Sequence, residues 1–140
     1  MSQVLTLHTD GGARGNPGPS AAGIVFHDPH GLVLHSFSKY LGVTTNNQAE
    51  YQALLLALKH LQENISNFPP ISELHVFMDS ELIINQLTGK YKIKHPDIIP
   101  LTKEIFTILQ LLPFSVTFTH VPRAQNKDAD FLVNQELDLQ

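Results

Sequence analysis

Residues 4–40 constrain this chain more than any other stretch. Residues 4–9 alternate weakly and are rich in strand formers, which predicts a strand ending at Asp10. Residues 11–20 are turn-rich. Two further apolar runs, residues 22–27 and 32–40, flank Asp28-Pro29-His30-Gly31, the pattern of a hairpin. Three consecutive antiparallel strands at the start exclude a helical bundle.

The rest of the chain supplies the other elements. Residues 47–62 have helical periodicity, with Leu54, Ala57, Leu58 and Leu61 on one face. A strand over 71–78 delivers Asp79. A short helix over 80–87 stops at Gly89, and a longer one over 98–112 is broken by Pro113. Its inner stripe is Ile105, Ile108, Leu109 and Leu112. Residues 114–121 alternate as a half-buried strand does, and residues 127–137 close the chain as a helix. The order βββαβααβα predicts an α/β fold: a mixed sheet with helices packed on it, in a single domain over residues 1–140.

Composition narrows the class. Apolar residues make up 42% and charged residues 16%, as in a globular domain. No apolar stretch approaches the ~18 residues of a membrane span, and the N-terminus lacks the pattern of a signal peptide. Cysteine is absent, which excludes disulfides and thiolate metal sites. A cytoplasmic protein is the expectation. The net charge of −4 argues against a strongly basic nucleic-acid binder. A nest of four carboxylates would account for that charge, and bound cations would offset it.

Four carboxylates sit in distinct settings. Asp10 opens Asp10-Gly11-Gly12-Ala13-Arg14-Gly15-Asn16-Pro17-Gly18; it suits either a turn or a backbone running close to a ligand. Arg14 and Asn16 add donors there. Glu50 could complete a capping box begun by Asn47, yet it shares a stripe with Leu54, Ala57 and Leu61 that faces the sheet. Asp79 could cap the next helix, although Ser80 could serve equally. Asp128 and Asp130 both suit the first turn of the last helix; Asp130 shares a face with Val133, Asn134 and Leu137, whereas Asp128 points elsewhere. Brought together, Asp10, Glu50, Asp79 and Asp130 would form an oxygen-only nest for two hard cations, suited to phosphodiester hydrolysis. Of the eight histidines, His27 and His30 flank the hairpin turn and are expected to face solvent. His120 ends a strand, where it is either bland or a proton carrier.

Taken together, these segments resemble type 1 ribonuclease H. The resemblance rests on Thr9-Asp10-Gly11-Gly12 with Gly15-Asn16-Pro17-Gly18-Pro19, on Thr44-Thr45-Asn46-Asn47-Gln48-Ala49-Glu50, on Asp79-Ser80, and on His120-Val121-Pro122-Arg123 with Asn126 and Ala129-Asp130. It implies the ribonuclease H-like fold, with a five-stranded mixed sheet whose first three strands are antiparallel. It implies an endonuclease that cuts the RNA strand of an RNA/DNA hybrid, leaving 3′-hydroxyl and 5′-phosphate ends. Asp10, Glu50, Asp79 and Asp130 become ligands of two Mg²⁺ ions, for which Mn²⁺ can substitute, and His120 becomes the loop histidine that assists catalysis. Asn16, Asn46 and Gln48 become minor-groove contacts and Thr45 a DNA-phosphate contact, with Ser80 and Arg123 as further substrate-binding candidates.

Two departures stand out. Val43 occupies a position where some relatives carry arginine, which weakens the expected phosphate pocket. Only Gly89-Lys90-Tyr91-Lys92-Ile93-Lys94-His95-Pro96 stands where some members carry a basic protrusion, and no separate hybrid-binding domain is expected before Asp10. If extended, Lys90, Lys92 and Lys94 share one face and partly replace that handle; otherwise they are a solvated edge. The alternatives are a nuclease of the same fold acting on other duplexes, and a silent nucleic-acid-binding module. A monomer without a membrane or an obligatory protein partner is expected.

Overall fold

The computed structural model describes residues 2–140. Among them run β1 (Gln3–Ala13), β2 (Gly18–His27), β3 (Val33–Thr44), α1 (Asn46–Glu63), β4 (Ile71–Met78), α2 (Glu81–Leu87), α3 (Ile99–Leu111), β5 (Ser115–His120) and α4 (Lys127–Asp138). The strands form one sheet in the order β3-β2-β1-β4-β5. β1, β2 and β3 pair antiparallel, while β4 lies parallel to both β1 and β5. The expected element order and mixed sheet are both present. None of the helices among the described residues is long and apolar enough to cross a membrane.

The period-two alternation of β2 divides the core between two faces. Ala22, Ile24 and Phe26 enter the larger cluster, beneath α1, together with Leu54, Leu58 and Leu61. Ala21 points the other way and packs on Val133 and Leu137 of α4. Gly23 lies between these contacts on the α4 face, where a Cβ would collide with the Ala129 carbonyl. This close approach holds α4 against the sheet.

Two boundaries and one exposure differ from the sequence reading, each for a physical reason. β1 does not stop at Asp10. Gly11, Gly12 and Ala13 continue the ladder opposite Ala22, Ala21 and Ser20, so the presumed turn is strand and β2 begins at Gly18. The cap of α1 is Thr45 rather than Asn47: its side chain accepts from the Gln48 amide, and Gln48 answers on the Thr45 backbone N–H. Glu50 is therefore free of capping. His27 is not solvent-facing. Its ring is largely covered, edge-on to His8 at 5.4 Å, whereas His30 is exposed.

Candidate active site

Chain topology brings three carboxylates to one point. β1 outruns its parallel neighbour: the last β1–β4 pair is His8 with Phe77, so Asp10 projects beyond the paired region. β4 ends at Met78, which delivers Asp79 beside it. Ser80 caps α2 by accepting from the Ile83 amide, which leaves the Asp79 carboxylate available. Glu50 arrives from the first turns of α1 and accepts a hydrogen bond from the Gly11 amide. That bond needs glycine nearby, because a Cβ on Gly11 would meet the Ala49 carbonyl.

One carboxylate oxygen from each of Asp10, Glu50 and Asp79 lies within 4.8 Å of the others. Asp10 and Glu50 are both 7% exposed. Burial, then the charge of Asp79 and the neighbouring Asp130, hold the Asp10 carboxyl up at about 7, against the opposing pull of its hydrogen bond with Glu50. Burial and the charges of Asp10 and Asp79 push Glu50 well above the ordinary carboxylate range, against the opposing pull of the Gly11 amide. Such crowding is unfavourable without a counter-charge. The donors are all oxygens, and the set fits a hard divalent cation such as Mg²⁺ or Mn²⁺.

Asp130, on the α4 wall, is close enough to Asp10 to act on its carboxyl but is outside the 4.8 Å group. It is more accessible, with 28% of its side chain exposed, and accepts from Arg123 Nη2 at 3.1 Å. Asn126 sets this wall against β1: fully buried, it donates to the Thr9 carbonyl at 2.9 Å, next to Asp10. Asp128 is 75% exposed on another face, as its helical position predicts. The two walls enclose an open cleft of about 550 Å³ that also takes in Ser80, Asn46 and Arg14.

The carboxamides have a common arrangement. The Asn16 carbonyl accepts from the Asn46 amide, the Asn46 carbonyl from the Ala13 amide, and the Gln48 carbonyl from the Thr45 amide. Each oxygen is thus fixed on backbone, and each NH₂ end has no partner among the described residues. Asn16, Thr45 and Gln48 line a recess of about 230 Å³ that shares Asn47 with the cleft.

Two expectations land elsewhere. His120 is the last residue of β5, paired with Met78, exposed and outside the cleft lining among the described residues. Beyond β5, Arg123 is the loop residue whose side chain reaches a carboxylate, that of Asp130. The lysine segment is irregular rather than a strand. A turn at Gly89 takes Lys90 out of the period, while half-buried Ile93 leaves Lys92 and Lys94 exposed on either side. Sequence reasoning missed Asn134 as a cleft residue; its place four residues beyond Asp130 on α4 was the available signal.

A family profile described as reverse transcriptase-like matches residues 8–136. A bifunctional protein of Mycobacterium tuberculosis is 35% identical over 135 residues, which are 96% of this chain and 35% of that protein. The chain thus spans about a third of the length of that relative. Among solved structures, LC11 ribonuclease H1 in complex with an RNA/DNA hybrid has a TM-score of 0.90 and 43% identity, covering 96% of this chain and 97% of the other. The ribonuclease H1 of the halophilic archaeon Halobacterium salinarum has a TM-score of 0.88 and 35% identity, covering 98% and 99%.

Proposed function

Because the chain belongs to the type 1 ribonuclease H family, we propose that it hydrolyses the RNA strand of RNA/DNA hybrids, leaving 3′-hydroxyl and 5′-phosphate ends. The observation that carries this reading is the group of Asp10, Glu50 and Asp79, two of them buried, lining one open cleft with Asp130. Asp10, Glu50 and Asp79 would hold Mg²⁺ or Mn²⁺, with Asp130 completing the site for a second ion. Bound there, the cations would supply an activated water and charge stabilisation for the leaving 3′ oxygen.

The protein's own groups do the positioning. The Gly11 amide and the packing of α1 keep Glu50 fixed beside Asp10, and Asn126 keeps α4, and with it Asp130, at a set distance from β1. Arg123 holds Asp130 and brings a permanent positive charge to the cleft.

Selectivity follows from the fixed amides. The outward NH₂ groups of Asn16, Asn46 and Gln48 are donors, and a minor groove offers base acceptors and, on an RNA strand, 2′-hydroxyls. A hybrid presents those hydroxyls on one strand only, so donors on one side of the cleft sort the strands. Thr45 and Ser80 flank this surface as substrate contacts. Lys90, Lys92 and Lys94 add a weak electrostatic handle; changing all three to alanine raises the KM and flattens its salt dependence.

The test is a panel of labelled hybrid, duplex RNA and duplex DNA with Mg²⁺ or Mn²⁺. The hybrid is the preferred substrate, and only its RNA strand is cut. Equal cleavage of duplex DNA, or no hybrid cleavage with either ion, overturns the proposal.

A further inference from the structure

The cleft has two arginines. Arg123 pairs with Asp130 near the start of α4, whereas Arg14 lies at the opposite end of that helix. Its Nη2 donates to Asp138 Oδ1 at 2.7 Å and reaches the Asn134 carbonyl at 3.4 Å. A longer contact to the Asn134 side-chain oxygen is 3.5 Å. All three bonds use a single nitrogen. The Nε and Nη1 donors have no partner among the described residues, although a guanidinium has five donors in a fixed fork. The Arg14 and Asp138 side chains are 47% and 69% exposed. An exposed ion pair of this kind contributes little to stability, so Arg14 can leave Asp138 at small cost.

Position gives this cation a task. Asp138 lies eight residues beyond Asp130 on α4, about 12 Å at the helical rise. Arg14 is anchored to β1 only just past its end, so it lines the same cleft as Asp10. A strand whose scissile phosphate sat at the carboxylates would present another phosphate there roughly two to four nucleotides away, depending on how it crosses α4. A planar fork suits a phosphate better than a single carboxylate oxygen.

We propose that Arg14 is a positioning residue: its guanidinium leaves Asp138 and clasps an RNA-strand phosphate beyond the one that is cut. The inference rests on the hybrid-cleavage reading above. Asp138 is the resting partner that keeps the arginine in the cleft.

Steady-state cleavage of a defined hybrid tests this with wild type, Arg14→Ala and Asp138→Asn. Arg14→Ala raises KM roughly three- to tenfold, leaves kcat near wild type, and reduces the salt slope of log KM by about one phosphate contact. Asp138→Asn keeps the cation and leaves KM unchanged or lower. A second measurement replaces single RNA phosphates with neutral methylphosphonates. One flanking position weakens wild type and has no further effect on Arg14→Ala, the coupling expected of a direct contact. If Asp138→Asn raises KM as Arg14→Ala does, the pair is merely structural and the proposal fails. It fails equally if no RNA position couples to Arg14, or if the coupled position is on the DNA strand. If wild type cuts no hybrid, the functional reading itself falls; if wild type cuts well and Arg14→Ala is indistinguishable from it, only this inference falls.

Discussion

The two walls of the cleft solve the problem of holding charge in opposite ways. On the β1–α1 wall, Asp10 and Glu50 are taken out of water, crowded together and fixed by a backbone amide. On the α4 wall, Asp130, Arg123, Arg14 and Asp138 keep much of their hydration and form ion pairs that can exchange. Burial makes the first wall expensive and rigid, because desolvated like charges need a counter-ion. Hydration makes the second wall cheap and adaptable. A cation site benefits from the first property, and a surface that must accept a moving polyanion benefits from the second.

The sharpest way to break this contrast is Asp10→Asn. Hydrolysis falls roughly a thousandfold or more, since cation-assisted chemistry is worth several kcal/mol, while gel-shift binding of hybrid is largely retained. Full activity in the variant would remove Asp10 from the site. Gly11→Ala attacks the same wall through its backbone: the new Cβ meets the Ala49 carbonyl, so thermal unfolding reports a loss of about 1–3 kcal/mol, as for overpacking. Unaltered stability would mean that α1 can retreat and that the wall is softer than described.

The pH dependence of stability separates the walls next. Asp10 rises from an ordinary 3.8 to about 7 on folding. The folded state therefore holds more protons than the unfolded state between those values, and stability falls as pH rises through that window. In urea unfolding with chelator, Asp10 favours pH 4.5 over pH 7.5 while the lowered His8 and His60 oppose it, so Asp10→Asn removes the first contribution alone; Mg²⁺ recovers more stability at the higher pH. A profile unchanged by Asp10→Asn contradicts the assignment.

Smaller effects belong to the hydrated wall. Arg123→Ala leaves stability within about 1 kcal/mol because its partner is accessible, yet slows cleavage by releasing Asp130. His120→Ala is the weakest change, with kcat within about threefold of wild type, below the 10²–10⁴ range of a positioned proton carrier. A hundredfold loss there would bring His120 back to the chemistry through motion of its loop.

Much of this was legible in local sequence. Period-two and helical patterns gave the element order, since side-chain direction repeats within each element. The stripe of Glu50 with Leu54, Ala57 and Leu61 pointed it inward, and the helical offset separated Asp130 from Asp128. The boundaries near Asp10 were hidden because Gly11 and Gly12 look like a turn; only pairing with Ala22 and Ala21 makes them strand. Thr45 and Asn47 are equally good caps on paper, and the chain's path out of β3 chose between them.

The sequence alone determined which residue types carry charge, where strands and helices alternate, and hence that the four carboxylates belong to four different parts of the chain. Distances were not in it. That Asp10, Glu50 and Asp79 converge while Asp130 lines the same cleft, that Arg123 rather than His120 turns into the cleft, and that Arg14 spans from β1 to the end of α4 all depend on sheet order and helix docking. Those are long-range pairings between segments far apart in the chain, fixed by packing against Gly23 and beneath α1, and no local pattern encodes them.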